Sequence, residues 1–317
     1  MQTSAPRPLP DTITCLDTGF LQPELAASYL VESEGRYAFI ETGTALGVPG
    51  LLAELDGMGV TREQVDYVIP TPVHLDHAGG AGSLVAALPN ARLVIHPRGA
   101  KHMIDPTRLW AGAMAVYGEE EMRHTYGEIV PVPAERVIEA PDEFELDFNG
   151  RVLKFIDTPG HANHHFCVWD ERSRGFFAGD TFGMSLRSFD TEKGPFAYLP
   201  SAPTQFDPLA WHKTLDRLMG YSPRCMYPTH YSRVDDVARL ADDLHHQIDV
   251  YIELAQENAG DHLSLRNALA EEMVDRLHAH GCELSNAEIF ARIGTDVDIN
   301  AQGLEVWLAR QKHFNSQ

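Results

Sequence analysis

The stretch Val65-Asp66-Tyr67-Val68-Ile69-Pro70-Thr71-Pro72-Val73-His74-Leu75-Asp76-His77-Ala78-Gly79-Gly80 decides how the chain is read. Residues 65–71 form an apolar run of the buried-strand kind. Two imidazoles and a carboxylate follow within four residues, and then a pair of glycines. His74, Asp76 and His77 are thereby expected on the loop beyond the carboxyl end of a strand, where α/β folds place their sites. Their side chains are suitable ligands for Zn, Fe or Mn. The glycines let the backbone turn tightly beside them.

Three further strand ends repeat the pattern. His161 closes the run LKFIDTPGH at 153–161, Asp180 follows the apolar FFAG at 176–179, and His230 ends RCMYPTH at 224–230. Four apolar runs, each finishing in a metal-ligand residue, have the logic of a two-metal site. Such a site puts histidines on each ion and one carboxylate where it can bridge.

Working outward, short β-like runs occupy 13–19, 27–33 and 36–43, after an N-terminal arm with three prolines in its first ten residues. Helical spacing at 49–60 is followed by the strand at 65–71, a small-residue helix at 78–88 and a strand at 91–97. This alternation argues for an α/β fold. Residues 98–136 read as mostly helical. Strand-like runs return at 144–160, 164–170 and 175–181. From 208 onward the chain reads as helices at 208–219, 233–258, 263–280 and 285–311. The expected organisation is a domain over 12–235 and a helical C-terminal extension over 236–317.

The chain has 317 residues, of which 44% are hydrophobic, enough for a large core. Lys plus Arg number 25 against 46 Asp plus Glu, a net charge of −21. So acidic a chain presents no general polyanion surface, and neither nucleic acid nor a membrane is an expected partner. The four cysteines are scattered without a CxxC pair, which suits a reducing compartment. No signal-peptide core or membrane-spanning run is read, so a cytoplasmic protein acting on a small molecule is expected. The 16 histidines direct the reading to metal.

The ordered set HLDHAGG (74–80), TPGH (158–161), GDT (179–181) and PTH (228–230) resembles the metallo-β-lactamase fold superfamily from about residue 12 to about 235. More narrowly, residues 89–110, the Tyr-Gly pairs at 117–118 and 126–127, and INAQGLEVWLARQ at 299–311 are similar to a little-characterised branch of metal-dependent hydrolases. Some relatives in that branch bind two irons and react with oxygen. The resemblance implies a four-layer αβ/βα sandwich. It implies that His74 and His161 bind a first metal, that Asp76, His77 and His230 bind a second, and that Asp180 bridges them. Water or hydroxide held between one or two divalent ions (Zn, Fe or Mn) would be the nucleophile, with Asp76 also orienting it.

The superfamily motif is HxHxDH, and Pro72 stands where its first histidine belongs. Proline offers a metal no donor atom. Three outcomes are open: a metal pair with an extra water, a single ion at the second site, or substitution by His164, His165 or His96. Function is correspondingly read three ways. The first is hydrolysis of an ester, lactone or thioester. The second is di-iron chemistry with oxygen or nitric oxide. The third is a non-catalytic or mononuclear member.

His96 and Arg98, in the polar run with Lys101 and His102, are candidates to hold a substrate carboxylate or phosphate. Tyr231 is a candidate donor to an oxyanion. Leu304, Trp307 and Leu308 form an apolar helical stripe suited to docking, in a homodimer or within the chain. No role is read for His245, His246, His278 or His280.

Overall fold

The structure, a computed structural model, describes residues 3–201 and 204–314. The last three residues of the expected helical extension, and the side chain of Tyr117, lie outside what is described. By internal contacts the chain divides into two units. The first holds residues 1–157, 164–179 and 224–233. The second holds 158–163, 180–223 and the chain from 234 onward.

Among the described residues the first unit contains two β-sheets. One has seven strands in chain order: β1 (Arg7–Leu9), β2 (Ile13–Asp17), β3 (Ala27–Ser33), β4 (Arg36–Ile40), β5 (Val65–Ile69), β6 (Arg92–Ile95) and β7 (Val137–Glu139). Strands β1 to β4 pair antiparallel in succession, and β4 to β7 pair parallel. Parallel neighbours need crossovers. These are supplied by the helices Val48–Gly57 and Ala81–Ala87, and, between β6 and β7, by Pro97–Ile104 and Thr107–Tyr117.

The second sheet has β8 (Glu145–Phe148), β9 (Arg151–Asp157), β10 (Phe166–Asp170), β11 (Gly175–Gly179) and β12 (Cys225–Pro228), in the order β12-β11-β10-β9-β8. Only β11 and β12 are parallel in it.

Strand alternation builds the core. Tyr29, Val31, Ala38 and Ile40 of the first sheet pack with Leu153, Phe155, Phe166, Val168 and Phe177 of the second. Their chain neighbours Leu30 and Phe39 point the other way, onto Leu51, Leu55, Leu84 and Val85 of the helices. Strands β10 and β11 are buried at every residue. Such strands read as continuous apolar runs rather than as alternation, which is why they stood out in the sequence.

The second unit contains the helices Pro208–Met219, Val237–Glu257, His262–His280 and Asn286–Phe314. Asp207 and Asp261 cap the first and third by accepting from Ala210 N and Ser264 N. Within this unit Leu304 is fully buried and Trp307 lies edge-on to Phe206, so the expected apolar stripe is occupied by packing inside the unit. Among the described residues no helix is long and apolar enough to cross a membrane.

The α/β class and the helical C-terminal part agree with the sequence reading. Three details differ. The N-terminal arm contributes the edge strand β1. Helix does not persist to 136: Gly127 takes a left-handed φ of 74°, and the segment through Pro131 and Pro133 is non-helical. The run 144–160 is a hairpin, because Asn149 (φ 51°) and Gly150 (φ 80°) form the turn such a pair favours between strands.

A buried ion pair pins the hairpin. Arg151 donates from Nε and Nη2 to both oxygens of Asp170, at 2.9 and 2.6 Å, and from Nη1 to the carbonyls of Asp11 and Glu32. Both side chains are fully buried. Removing one partner strands the other charge. Arg151→Met is therefore expected to cost about 3–5 kcal/mol of unfolding free energy in a urea titration. A loss below about 1 kcal/mol, the range of an exposed pair, would contradict this.

Candidate metal centre

Each ligand candidate follows a strand end. Strand β5 ends at Ile69, and the chain passes through Thr71 and Pro72 into a single helical turn, Leu75–Ala78. His74 occupies the N-cap of that turn, and its carbonyl accepts from Ala78 N at 2.7 Å. Asp76 and His77 lie on the turn itself. His230 follows β12 by two residues. Asp180 directly follows β11, and His161 follows β9 by four residues.

In the first unit Asp76, His77 and His230 converge. One ligand atom from each lies within 4.8 Å of the others. His77 Nε2 is 3.5 Å and His230 Nε2 is 3.2 Å from Asp76 Oδ2. His77 is wholly buried, His230 nearly so, and Asp76 half-buried.

The opposite ring nitrogen fixes the tautomer of His230. His230 Nδ1 lies 2.7 Å from the Leu25 carbonyl, which can only accept, so Nδ1 carries the hydrogen and Nε2 the lone pair. His77 Nδ1 stands 3.3 Å from Glu41 Oε2. The His230 lone pair thus faces a carboxylate oxygen that His77 Nε2 also approaches, an arrangement that a cation stabilises. Ligands on one tetrahedral ion with bonds of about 2.0–2.1 Å stand roughly 3.3 Å apart. The two separations from Asp76 Oδ2 fit that spacing.

In the second unit His161 and Asp180 meet in the same way. His161 Nδ1 donates to the Pro200 carbonyl at 2.7 Å, and its Nε2 lies 3.1 Å from Asp180 Oδ2. Both residues are buried. Their mount is the helix Pro208–Met219. Trp211 lies edge-on to His161 and donates Nε1–H to the Thr181 carbonyl at 2.8 Å. Thr214 donates its hydroxyl to the Pro159 carbonyl at 2.7 Å. Gly160 must be glycine here: its φ is 134°, and a Cβ would lie 2.6 Å from Trp211 Cα.

Other candidates are placed as follows. His74 is half-buried, with its ring 5.2 Å edge-on from that of His164. His165 is buried beside Gly179, where a Cβ would meet its Nε2 at 2.5 Å. His96 caps the helix Pro97–Ile104 by accepting from Arg98 N, and its Nε2 is 3.0 Å from Asp157. Arg98 is exposed. Tyr231 is buried, with its hydroxyl 3.4 Å from Ser4 Oγ, and burial pushes its ionisation well above the ordinary tyrosine range.

Two supporting residues escaped the sequence reading. Trp211 had no signal beyond helical spacing. Glu41 did have one. It closes the apolar run YAFI at the end of β4, so a fifth strand end finishes in a ligand-type residue, and it went unused. It is 1% exposed. It accepts the hydroxyls of Thr71 and Thr229, while its other oxygen faces His77 Nδ1.

Comparison with known proteins accords with this geometry. A family model of the metallo-beta-lactamase superfamily matches residues 21–230. The chain is 24% identical over 206 residues to the metallo-beta-lactamase fold-containing protein ST1585 of Sulfurisphaera tokodaii, covering 64% of this chain and 71% of that protein. The solved structure of ST1585 superposes with a TM-score of 0.58 at 22% identity, over 71% of this chain and 80% of that one.

The metallo-beta-lactamase family protein TTHA1429 of Thermus thermophilus superposes with a TM-score of 0.62 at 21% identity, over 98% of this chain and 92% of that one. Hydroxyacylglutathione hydrolase of Aeromonas hydrophila is 26% identical over 153 residues. That match spans 48% of this chain and 45% of the enzyme.

Carboxylates that hold the far nitrogen of a ligating histidine govern metal affinity. Glu41→Gln is expected to weaken metal binding about 10–100-fold, read by competition with a chromophoric chelator. Unchanged affinity would show that Glu41 serves packing alone.

Proposed function

The chain belongs to the metallo-beta-lactamase superfamily, and on that premise we propose that it is a metal-dependent hydrolase of esters, lactones or thioesters. The observation that carries this reading is the convergence of Asp76, His77 and His230, with the Nε2 atoms of two buried imidazoles within 3.5 Å of one carboxylate oxygen.

These three residues would hold one divalent ion. His74, His161 and Asp180 are assigned to a second, with Asp180 shared, as the resemblance implies. When bound, such ions supply an activated water near neutral pH and polarise a carbonyl oxygen.

The chain's own residues do the rest. The Leu25 and Pro200 carbonyls keep the Nε2 atoms of His230 and His161 unprotonated and aimed. Asp76 is the least buried of Asp76, His77 and His230 and is assigned to orient the attacking water through its carboxylate. Arg98, exposed at the start of the helix after β6, is assigned to an anionic group on the substrate.

The test is a panel of esters, lactones and thioesters assayed with protein loaded separately with zinc, manganese and iron. Turnover of at least one class is expected, and Asp76→Asn should lower its kcat/KM about 10²–10⁴-fold, the range of a lost acid–base contribution. Turnover insensitive to Asp76→Asn would overturn the assignment. Oxygen consumption by the iron form with no hydrolysis in any metal form would overturn the reaction class.

A further inference from the structure

Two histidines away from this centre meet within the helical unit. His212 lies on the helix Pro208–Met219 and His245 on Val237–Glu257. Their Nδ1 atoms are 2.6 Å apart, and their rings are parallel to within 9° with centroids 4.9 Å apart. The outer nitrogen of each ring is held by a carboxylate of the opposite helix. His212 Nε2 is 3.2 Å from Asp249 Oδ1, and His245 Nε2 is 3.4 Å from Asp216 Oδ1. The arrangement is reciprocal, since each helix presents one histidine and, one turn later, one aspartate on the same face.

A carboxylate can only accept, so in the hydrogen bond between His212 Nε2 and Asp249 Oδ1 the hydrogen sits on Nε2, and the His212 Nδ1 lone pair faces His245 Nδ1. That inner contact takes either a hydrogen or a metal ion. A bridging proton fits at 2.6 Å. A divalent ion with bonds of about 2.0–2.1 Å in tetrahedral geometry needs the nitrogens roughly 3.3 Å apart, an opening of about 0.7 Å. The rings can supply it, being about a quarter exposed and anchored only at their far ends.

We propose that His212 and His245 form a transition-metal site joining the two helices. The ion binds through both Nδ1 atoms and displaces the bridging proton. Asp249 and Asp216 face the outer nitrogens and orient the rings, as carboxylates do behind ligating histidines. Imidazole donors suit Zn²⁺, Cu²⁺ and Ni²⁺, and water completes the coordination. The helix bearing His212 also carries Trp211 and Thr214, which hold the His161 turn. An ion at this position therefore braces the mount of His161. The proposal does not rest on the hydrolase reading.

Zinc is the probe. The full chain is loaded with Zn²⁺, freed of excess by gel filtration and submitted to elemental analysis. His212→Gln and His245→Gln should each retain one equivalent less than the native chain, and the double variant no less than either single one. The same difference of one equivalent should persist in a His77→Ala background, which separates this site from the centre above. Asp249→Asn, a change at an exposed side chain, should weaken the zinc affinity of this site about 10-fold. Equal zinc in the native chain, both single variants and the double variant would overturn the proposal and leave the pair a proton-bridged contact. An Asp249→Asn affinity equal to native would overturn the orienting role.

Discussion

A single buried carboxylate organises the ligand set of the first unit. Glu41 is 1% exposed, and taking an ionised carboxylate out of water costs several kcal/mol unless it is partnered. Its partners come from two connections, the one that follows β5 and the one that follows β12. Thr71 stands ahead of the HLDH turn, His77 lies within it, and Thr229 directly precedes His230. The charge cannot be satisfied unless these segments are in register. Satisfying it sets the ring of His77 and the approach of His230 to Asp76. Backbone contacts strengthen the arrangement: Thr42 N donates to the His77 carbonyl at 2.8 Å, and Ala27 N to the Thr229 carbonyl at 2.8 Å. The strands fix where the loops begin, and Glu41 fixes how they end.

Much of this was readable in the amino-acid order because ligand side chains placed at strand ends leave a local signature. An apolar run that stops in His or Asp identifies both the strand and the donor, as at Ile69–His74 and Gly179–Asp180. What stayed hidden was non-local. No spacing rule connects Glu41 to Thr229, or Trp211 to His161, because folding and not sequence proximity makes them neighbours. The hairpin turn at Asn149-Gly150 is different: its signal is local, yet the flanking strands are apolar enough to read as one run. The pair His212–His245 falls between these cases. Each histidine alone resembles an ordinary helical surface residue, and only the helix pairing brings Nδ1 to Nδ1.

Pro72 bears on the two proposed ligand sets unequally. It lies ahead of His74, and its ring supplies no donor atom. The set Asp76, His77 and His230 does not depend on it, because all three ligand atoms are positioned by Glu41, the Leu25 carbonyl and the helical turn at Leu75–Ala78. The candidates proposed from sequence to replace the missing imidazole differ in how they are engaged. His96 has both nitrogens committed, to Arg98 N and Asp157. His164 stands edge-on to His74. The chemistry assigned to the protein accordingly leans on Asp76, His77 and His230.

The central claim is that Asp76, His77 and His230 constitute a cation site, and crystallography with anomalous scattering tests it most directly. Crystals grown with zinc and measured at the zinc edge should show an anomalous peak within about 2.0–2.2 Å of His77 Nε2, His230 Nε2 and an oxygen of Asp76. A map from zinc-saturated protein with no peak among these three residues would contradict the account.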